Sequence, residues 1–243
     1  MSTSKVVALC VTCLVDQVMP EVGVATVRLL RRAGFSVEFP PGQTCCGQPF
    51  LNSGYPKEAA RLARNTIDTF ADYAAVVLPS GSCTTMIRHE YTHLFADEPK
   101  YLYRARRLAS NTYELSEFLT LRQNGESSLP PPESTKTVTY HDSCHMCRTL
   151  GLREQPRKVL REAGINVQEM IESDRCCGFG GLFSVRMPEV SNAMTAAKLS
   201  QAQATGVDRV VTADPGCLMQ MRGLAAEYDL EVEHLAVALE EAA

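Results

Sequence analysis

"QTCCGQPF" spans Gln43–Phe50 and "DRCCGFGG" spans Asp174–Gly181. In both, two adjacent cysteines precede a glycine. The interval from Cys45 to Cys176 is the same as that from Cys13 to Cys144. Within each half, therefore, the first cysteine stands equally far ahead of the pair. A last cysteine, Cys83 or Cys217, follows the pair at nearly the same remove, and one loop absorbs the difference. The chain is a duplication, and a repeat of this kind governs the fold before any local reading does.

The surroundings of the cysteines repeat as well. "LLRRAGFSVEFPPGQTCCG" matches "VLREAGINVQEMIESDRCCG", and "AAVVLPSGSCTTMIR" matches "VDRVVTADPGCLMQMR". "NTYELSEFLTL" resembles "LEVEHLAVALE". Each half opens on a β-rich run, "KVVAL" or "TVTYH". An amphipathic helix follows; in the first half Val22, Ala25, Leu29 and Ala33 recur at helical spacing. A glycine stop and a second strand come next, in "AGFSVEF" or "AGINVQEM". After the cysteine pair comes another helix, then a third strand, a cysteine and a further helix. Alternating β and α elements imply parallel strands joined by crossovers. The expected architecture is α/β: two tandem Rossmann-like units with parallel sheets, related by a pseudo-twofold. Residues 1–121 form the first domain and 138–243 the second. Between them, residues 122–137 are rich in Pro, Ser and Gly, lack apolar periodicity and read as a linker.

Composition narrows the chemistry. The chain has 243 residues, is 45% hydrophobic and carries a net charge of −4. That suffices for a real core and gives no electrostatic reason to expect nucleic acid or an anionic membrane. Ten cysteines are many for such a chain. Disulfide frameworks belong to small secreted domains without a core, which this is not. "KVVALCVTCLV" (Lys5–Val15) is interrupted by two cysteines and has no cleavage site after it, so it reads as a buried strand rather than a signal. No apolar run approaches the roughly 18 residues of a membrane span. A reducing cytoplasm is the expected compartment, where clustered cysteines bind metal or do redox chemistry.

The cysteines fall just past the carboxyl ends of strands, where open α/β sheets bind ligands and helix N-termini favour thiolates. Three loops of each half can thus bring four thiols together. Cys13, Cys45, Cys46 and Cys83 form one set; Cys144, Cys176, Cys177 and Cys217 form the other. Consecutive side chains diverge and chelate one small ion poorly, and structural zinc sites space their ligands by two to four residues. A cluster of several irons is larger, and adjacent thiolates can each take a different iron. Gly47 and Gly178 let the backbone turn beside it. Zinc held by a structural or assembly module is the alternative. A thiol–disulfide enzyme using the vicinal pair directly is another.

"VTCLVD", "CCGQP", "NSGY", "PSGSCTTM", "HDSCHM", "CCGFGG" and "GCLM" together resemble, in order and across nearly the whole chain, the lactate utilization protein A family. The cysteine pattern resembles the cysteine-rich CCG domains found in heterodisulfide reductase and in the iron–sulfur subunit of glycolate oxidase. The resemblance implies an iron–sulfur electron-transfer subunit of a complex that oxidises L-lactate to pyruvate. It implies two further protein partners, one of them an iron–sulfur protein, and no catalysis by this chain alone. It implies [4Fe-4S]-type clusters, noncubane in heterodisulfide reductase, with zinc known in some CCG domains. The reductase pattern ends in C-x-x-C, whereas "SCTTM" and "GCLM" end in one cysteine. Cys10 and Cys147 lie outside the eight matched positions and could supply a fifth ligand as Cys10-x-x-Cys13 and Cys144-x-x-Cys147; a buried strand thiol is the ordinary reading of Cys10.

Other signals compete. "HEYTH" (His89–His93) fits the zincin pattern, but no third ligand follows, and a solvated helix face accounts for it. "HDSCHMC" sets His141 and His145 about Cys144. His145 and Arg148, in the cysteine loop itself, are the candidate catalytic residues; His141 is either a site residue or an ordinary strand-end histidine. The first half lacks this stretch, which makes the second the stronger candidate for chemistry. "CCGFGG" does not fit G-x-G-x-x-G, and no P-loop occurs, so no nucleotide site is expected. "YRARRLA" (Tyr103–Ala109) reads as a solvated helix face, or as a docking surface for an acidic partner.

Overall fold

In the computed structural model, which describes residues 5–122 and 136–242, the first apolar run is the strand β1 (Lys5–Leu9). The chain continues through α1 (Cys13–Val18) and α2 (Pro20–Arg32) to β2 (Phe35–Glu38). α3 (Gln48–Asn52) and α4 (Pro56–Thr69) lead to β3 (Val76–Leu78). α5 (Gly81–Thr85), a π-helical turn over Met86–Glu90, α6 (Tyr91–Leu94) and α7 (Pro99–Ser110) lead to β4 (Thr112–Glu114) and α8 (Leu115–Arg122). The second half runs β5 (Thr137–Tyr140), a π-helical turn over His145–Leu150, α9 (Glu154–Glu162) and β6 (Asn166–Val167). Then come α10 (Leu182–Arg186), α11 (Pro188–Gln203), β7 (Arg209–Thr212), α12 (Pro215–Ala225), a 3-10 turn over Ala226–Tyr228, β8 (Glu231–His234) and α13 (Leu235–Glu241).

Two four-stranded sheets result, with orders β2-β1-β3-β4 and β6-β5-β7-β8, and every pairing is parallel. The duplication in sequence is thus a duplication of topology. The chain divides into two compact units, Met1–Phe118 and Leu119–Ala243. The expected linker lies, apart from its ends, outside the described residues.

Local chemistry explains the elements. Proline stands first in α2, α4, α7, α11 and α12, where its missing N–H costs no hydrogen bond. α2 buries Val22, Ala25 and Leu29. Ala33, expected on the same stripe, is the exposed C-cap, because Gly34 at φ +84° stops the helix one residue on. β3 is buried throughout, as a central parallel strand must be. The first unit's core gathers Ala8, Ile67, Val76, Leu78, Met86 and Phe95.

Each sheet carries a fourth strand that the pattern of apolar residues does not announce. In β4 the buried residues are Thr112 and Glu114. Thr112 Oγ1 donates to the Leu108 carbonyl (2.8 Å), and a Glu114 carboxylate oxygen accepts from the Ser116 N–H (2.7 Å) and the Ser116 hydroxyl. Local partners make a polar strand buriable.

Because all strands run parallel, the segments that follow them leave from one edge of each sheet. Cys13, the Cys45–Cys46 pair and Cys83 follow β1, β2 and β3; Cys144, the Cys176–Cys177 pair and Cys217 follow β5, β6 and β7.

Candidate metal centre

In the first unit Cys13 opens α1 after Thr12, a buried non-glycine residue at φ +69°. Cys83 sits in α5, whose first turn is capped by Ser80 Oγ accepting from the Cys83 N–H (3.3 Å). The pair between them is anchored from three sides. Gln43 Nε2 donates to the Leu9 carbonyl (2.9 Å) and its Oε1 accepts from the Val11 N–H (3.1 Å), tying the loop to the end of β1. Tyr91 Oη donates to the Cys46 carbonyl (2.8 Å). Gly47, at φ +94°, aims its N–H at Cys45 Sγ (3.4 Å). A side chain there would place its Cβ 3.0 Å from the Ala59 carbonyl oxygen, so α4 packs directly on the turn.

The thiols meet sulfur to sulfur. Cys46 Sγ lies 3.4 Å from Cys83 Sγ, and Cys13 and Cys46 both donate to Cys45. Those two donations, with the Gly47 N–H, hold Cys45 far below the ordinary thiol range despite its partial burial. Donation to Cys45, then burial, pushes Cys13 up; Cys46 is raised by its hydrogen bonds to Cys45 and Cys83 and by burial. One thiolate shared among thiols is a strong nucleophile and metal donor. A cleft of about 300 Å³, lined in part by Asp16, Gln17, Phe39 and Gln43, opens beside Cys13 and Cys45.

The second unit builds the same object from other parts. Gly178, at φ +93°, directs its N–H at Cys176 Sγ (3.4 Å). Cys176 is held far down by hydrogen bonds from Cys144 and Cys177, and Cys144 and Cys177 are raised by the same bonds and by burial. Donation from Cys177 lowers Cys217, but burial and the Asp214 carboxylate outweigh it and leave the thiol raised. Asp214 also caps α12, Oδ1 accepting from the Gly216 N–H (3.1 Å). Thr195 Oγ1 reaches the Cys177 carbonyl (2.8 Å) in the role Tyr91 fills in the first unit. The loop that carries the pair is braced by the buried Arg157, whose guanidinium forks onto Asp142 (both contacts 2.8 Å) and reaches Glu169 (2.6 Å). Lys198, fully buried in α11, donates to the carbonyls of Glu172 (2.6 Å) and Ser173 (3.3 Å).

All ten cysteines are free thiols, and within each unit the four sequence-predicted ones come together. Cys10 is buried at the strand edge within the influence of Cys83 and Cys45, and burial raises it first. Cys147 Sγ lies 4.0 Å from the Cys144 carbonyl, and after burial the largest influences on it are the charges of Asp142, Arg153, Asp174 and Arg148. His145 Nδ1 stands 3.8 Å from Cys144 Sγ, while the exposed Arg148 donates to the Asp174 carbonyl (2.9 Å), just before the pair. His141 is where sequence reasoning stopped short. It is fully buried, and one of its ring nitrogens lies with Cys177 Sγ and Cys217 Sγ in a group no more than 4.8 Å across. The signal was in the repeat: Cys10 and His141 are separated by the same interval as Cys13 and Cys144.

The competing motifs are absorbed by ordinary structure. His93 pairs with Glu90 at 3.6 Å on an exposed turn, so the "HEYTH" glutamate is not poised as a base between two ligands. Arg104 of α7 pairs with Asp68 (2.6 Å) and lies over the Tyr101 ring. Among the described residues, no helix is long and apolar enough to cross a membrane.

Comparison with known proteins agrees with this geometry. The family model of the cysteine-rich domain CCG matches twice, over residues 7–88 and 138–222. Lactate utilization protein A of Bacillus subtilis (strain 168) is 46% identical over 233 residues, which cover 96% of this chain and 97% of that protein. Lactate utilization protein A of Shouchella clausii is 45% identical over 236 residues, covering 96% and 98%. The crystal structure of a hypothetical protein from Helicobacter pylori superposes with a TM-score of 0.67 at 11% identity, a likeness of fold alone. The match spans 97% of this chain and 48% of that one.

Proposed function

The chain belongs to the lactate utilization protein A family, and on that footing we propose that it is an iron–sulfur electron-transfer subunit of a cytoplasmic system that oxidises L-lactate to pyruvate. The observation that carries the reading is the pairing of two thiol sets, each of four free cysteines drawn from three loops at one sheet edge, each with a single deeply depressed thiol. In the first unit Cys13, Cys45, Cys46 and Cys83 would hold a [4Fe-4S]-type cluster; in the second, Cys144, Cys176, Cys177 and Cys217. Such a group supplies one-electron transfer when bound. The protein's own part is to fix the thiols and hold one of each set as a thiolate: the Gly47 and Gly178 turns aim N–H groups at the sulfurs, and α4 and α11 press on those turns. We assign the catalytic roles to His145 and Arg148; the contacts of His145 Nδ1 with Cys144 Sγ (3.8 Å) and of Arg148 with the Asp174 carbonyl (2.9 Å), just before the pair, support it. The relatives are named for lactate utilization as protein "A", which supports further subunits; we assign two, one of them an iron–sulfur protein. Lactate would be oxidised on a partner, with this chain receiving electrons.

A second reading has one observation in its favour. His141, Cys177 and Cys217 lie close enough for a single small ion, so the second unit could hold zinc. Iron, zinc and acid-labile sulfide measured on anaerobically purified protein, with its absorption spectrum, decide between them. About four to eight irons per chain with matching sulfide is the expected result. About one or two zinc ions without sulfide overturns the redox reading in favour of a structural subunit.

A further inference from the structure

We propose that His141 donates a ring nitrogen to the metal group of the second unit, in the place where the first unit offers only the Cys10 thiol. The inference rests on the reading that these thiols hold metal, and adds a ligand to it.

Three observations carry it. First, His141 is the structural counterpart of Cys10. Each is the first residue past its opening strand, β5 or β1. Each donates its backbone N–H to the neighbouring strand: His141 to the Val211 carbonyl (2.9 Å), Cys10 to the Val77 carbonyl (3.0 Å). The duplication has put an imidazole where its other copy has a thiol. Second, His141 is fully buried and neither Nδ1 nor Nε2 makes a well-formed hydrogen bond, the Ser173 backbone acting on the ring only as the smallest of its influences. A buried ring that gives up water at both nitrogens for so little costs stability, and native proteins keep such a group for a reason. Third, a ring nitrogen already lies within 4.8 Å of the two most buried thiols of the set, Cys177 and Cys217. A metal seated between them relieves the orphaned nitrogen.

His145, unlike His141, sits beside Cys144, one of the two half-buried thiols of the set.

The test uses the whole chain, loaded anaerobically with iron and sulfide and carrying either natural or 15N-labelled histidine. Pulsed electron paramagnetic resonance of the reduced protein should show a histidine nitrogen coupled to the cluster, with the isotope shifting its pattern. The coupling should vanish in His141→Ala and His141→Cys and persist in His145→Ala. His141→Cys keeps a metal donor at the site and guards against a variant that fails to fold. A chelator challenge gives the second readout: His141→Ala should release the metal of one centre about tenfold faster or more than the parent chain, and His93→Ala, at an exposed histidine of the first unit, at the parent rate. Iron-loaded protein without histidine coupling and with unchanged release in His141→Ala overturns this proposal and leaves the iron reading standing. Coupling lost in His145→Ala but kept in His141→Ala also overturns it. A chain that takes up no metal fails the iron reading itself, and this proposal with it.

Discussion

The two units share a backbone and differ in charge. Their glycine turns match to within a degree, φ +94° at Gly47 and +93° at Gly178, and both aim an N–H at a thiol from 3.4 Å. Their strand orders are the same. Around this common frame the side chains diverge. Where the first unit has Cys10, the second has His141. α4 and α11 register on the carbonyls of Ala59 and Ser191, which face the two glycines; two turns further along, the first helix carries Thr66 and the second Lys198. The first set therefore lies among thiols and hydroxyls. The second lies against an imidazole and a buried ammonium that acts on Cys217 and is itself influenced by Cys177. The geometry for gathering four thiols survives duplication because the turn and the helix behind it demand it. The electrostatic surroundings face no such demand and have drifted apart, so clusters held there as proposed would differ in potential rather than in shape.

The largest expected effect tests how tight each turn is. Alanine at Gly178 would put its Cβ 2.5 Å from the Ser191 carbonyl, against 3.0 Å from Ala59 at Gly47. Both also incur the left-handed backbone cost of about 1–2 kcal/mol. Gly178→Ala should destabilise its unit by about 4 kcal/mol and Gly47→Ala by about 2, overpacking making the difference. Hydrogen exchange of the β5–β8 amides in one variant and the β1–β4 amides in the other reads each loss separately. Equal losses would show the two turns to be equally roomy.

A smaller effect distinguishes the units by pH. Glu114 closes β4 and caps α8 through the Ser116 N–H, while His234 closes β8 and caps α13 by accepting from the Ala236 N–H (3.0 Å). Burial, only partly offset by its Ser116 hydrogen bonds, raises Glu114 from 4.5 to about 7. The folded state thus binds a proton that the unfolded state releases between those values. This contribution is full below pH 4.5, declines as pH rises to about 7 and is flat above it; the total is roughly 3 kcal/mol. Protection of the β1–β4 amides at pH 5 and pH 7.5 should follow that decline, and Glu114→Gln should remove it. The same slope in Glu114→Gln would locate its cause elsewhere.

Much of this was legible in the sequence, for reasons that residues make plain. The repeated cysteine spacing marked out the two units, and the cysteines after each β-rich run placed the thiols at one sheet edge. What stayed hidden was hidden by local compensation. Thr112 and Glu114 look like a polar loop because their partners, the Leu108 carbonyl and Ser116, cannot be seen until the chain is folded. The π-helical turns over 86–90 and 145–150 carry no distinctive composition. Cys147 lies in the second of them, with its Sγ on the Cys144 carbonyl at 4.0 Å. His141 was visible as a residue but not as a counterpart, since the repeat was matched by cysteines and by stretches and not residue by residue out of the opening strand, where Cys10 stands opposite His141.

Lys198 tests the charge difference directly. Lys198→Met removes the buried cation set against that repeat position and leaves the Glu172 and Ser173 carbonyls without its donation. Relief of a buried ammonium offsets that loss, so stability should change by less than about 2 kcal/mol. The midpoint potential of one centre should fall by tens of millivolts, on the order expected for losing one partly screened charge. Thr66→Val in the first unit should leave both potentials in place. An unmoved potential in Lys198→Met would mean that the charge is screened from the thiols and that the units differ less than their side chains suggest.

The smallest effect asks whether unlike residues do like work. The Cys46 and Cys177 carbonyls sit at corresponding points of the two turns, and each meets a hydroxyl at 2.8 Å. Tyr91 reaches the first from α6; Thr195 reaches the second from α11 itself, steadied by Gln220 Nε2 (2.9 Å). Nothing in the repeat relates the two residues, so the requirement belongs to the carbonyl, which the turn buries and no strand partner satisfies. Tyr91→Phe and Thr195→Val keep shape and remove only the hydroxyl. Each should cost about 1 kcal/mol, the net worth of a neutral hydrogen bond, and neither should move a potential as far as Lys198→Met does. Urea unfolding of both variants gives the comparison. A cost confined to Tyr91→Phe would mean that Ser191, whose Oγ donates to the next carbonyl at Gly178 (2.9 Å), holds the second turn alone.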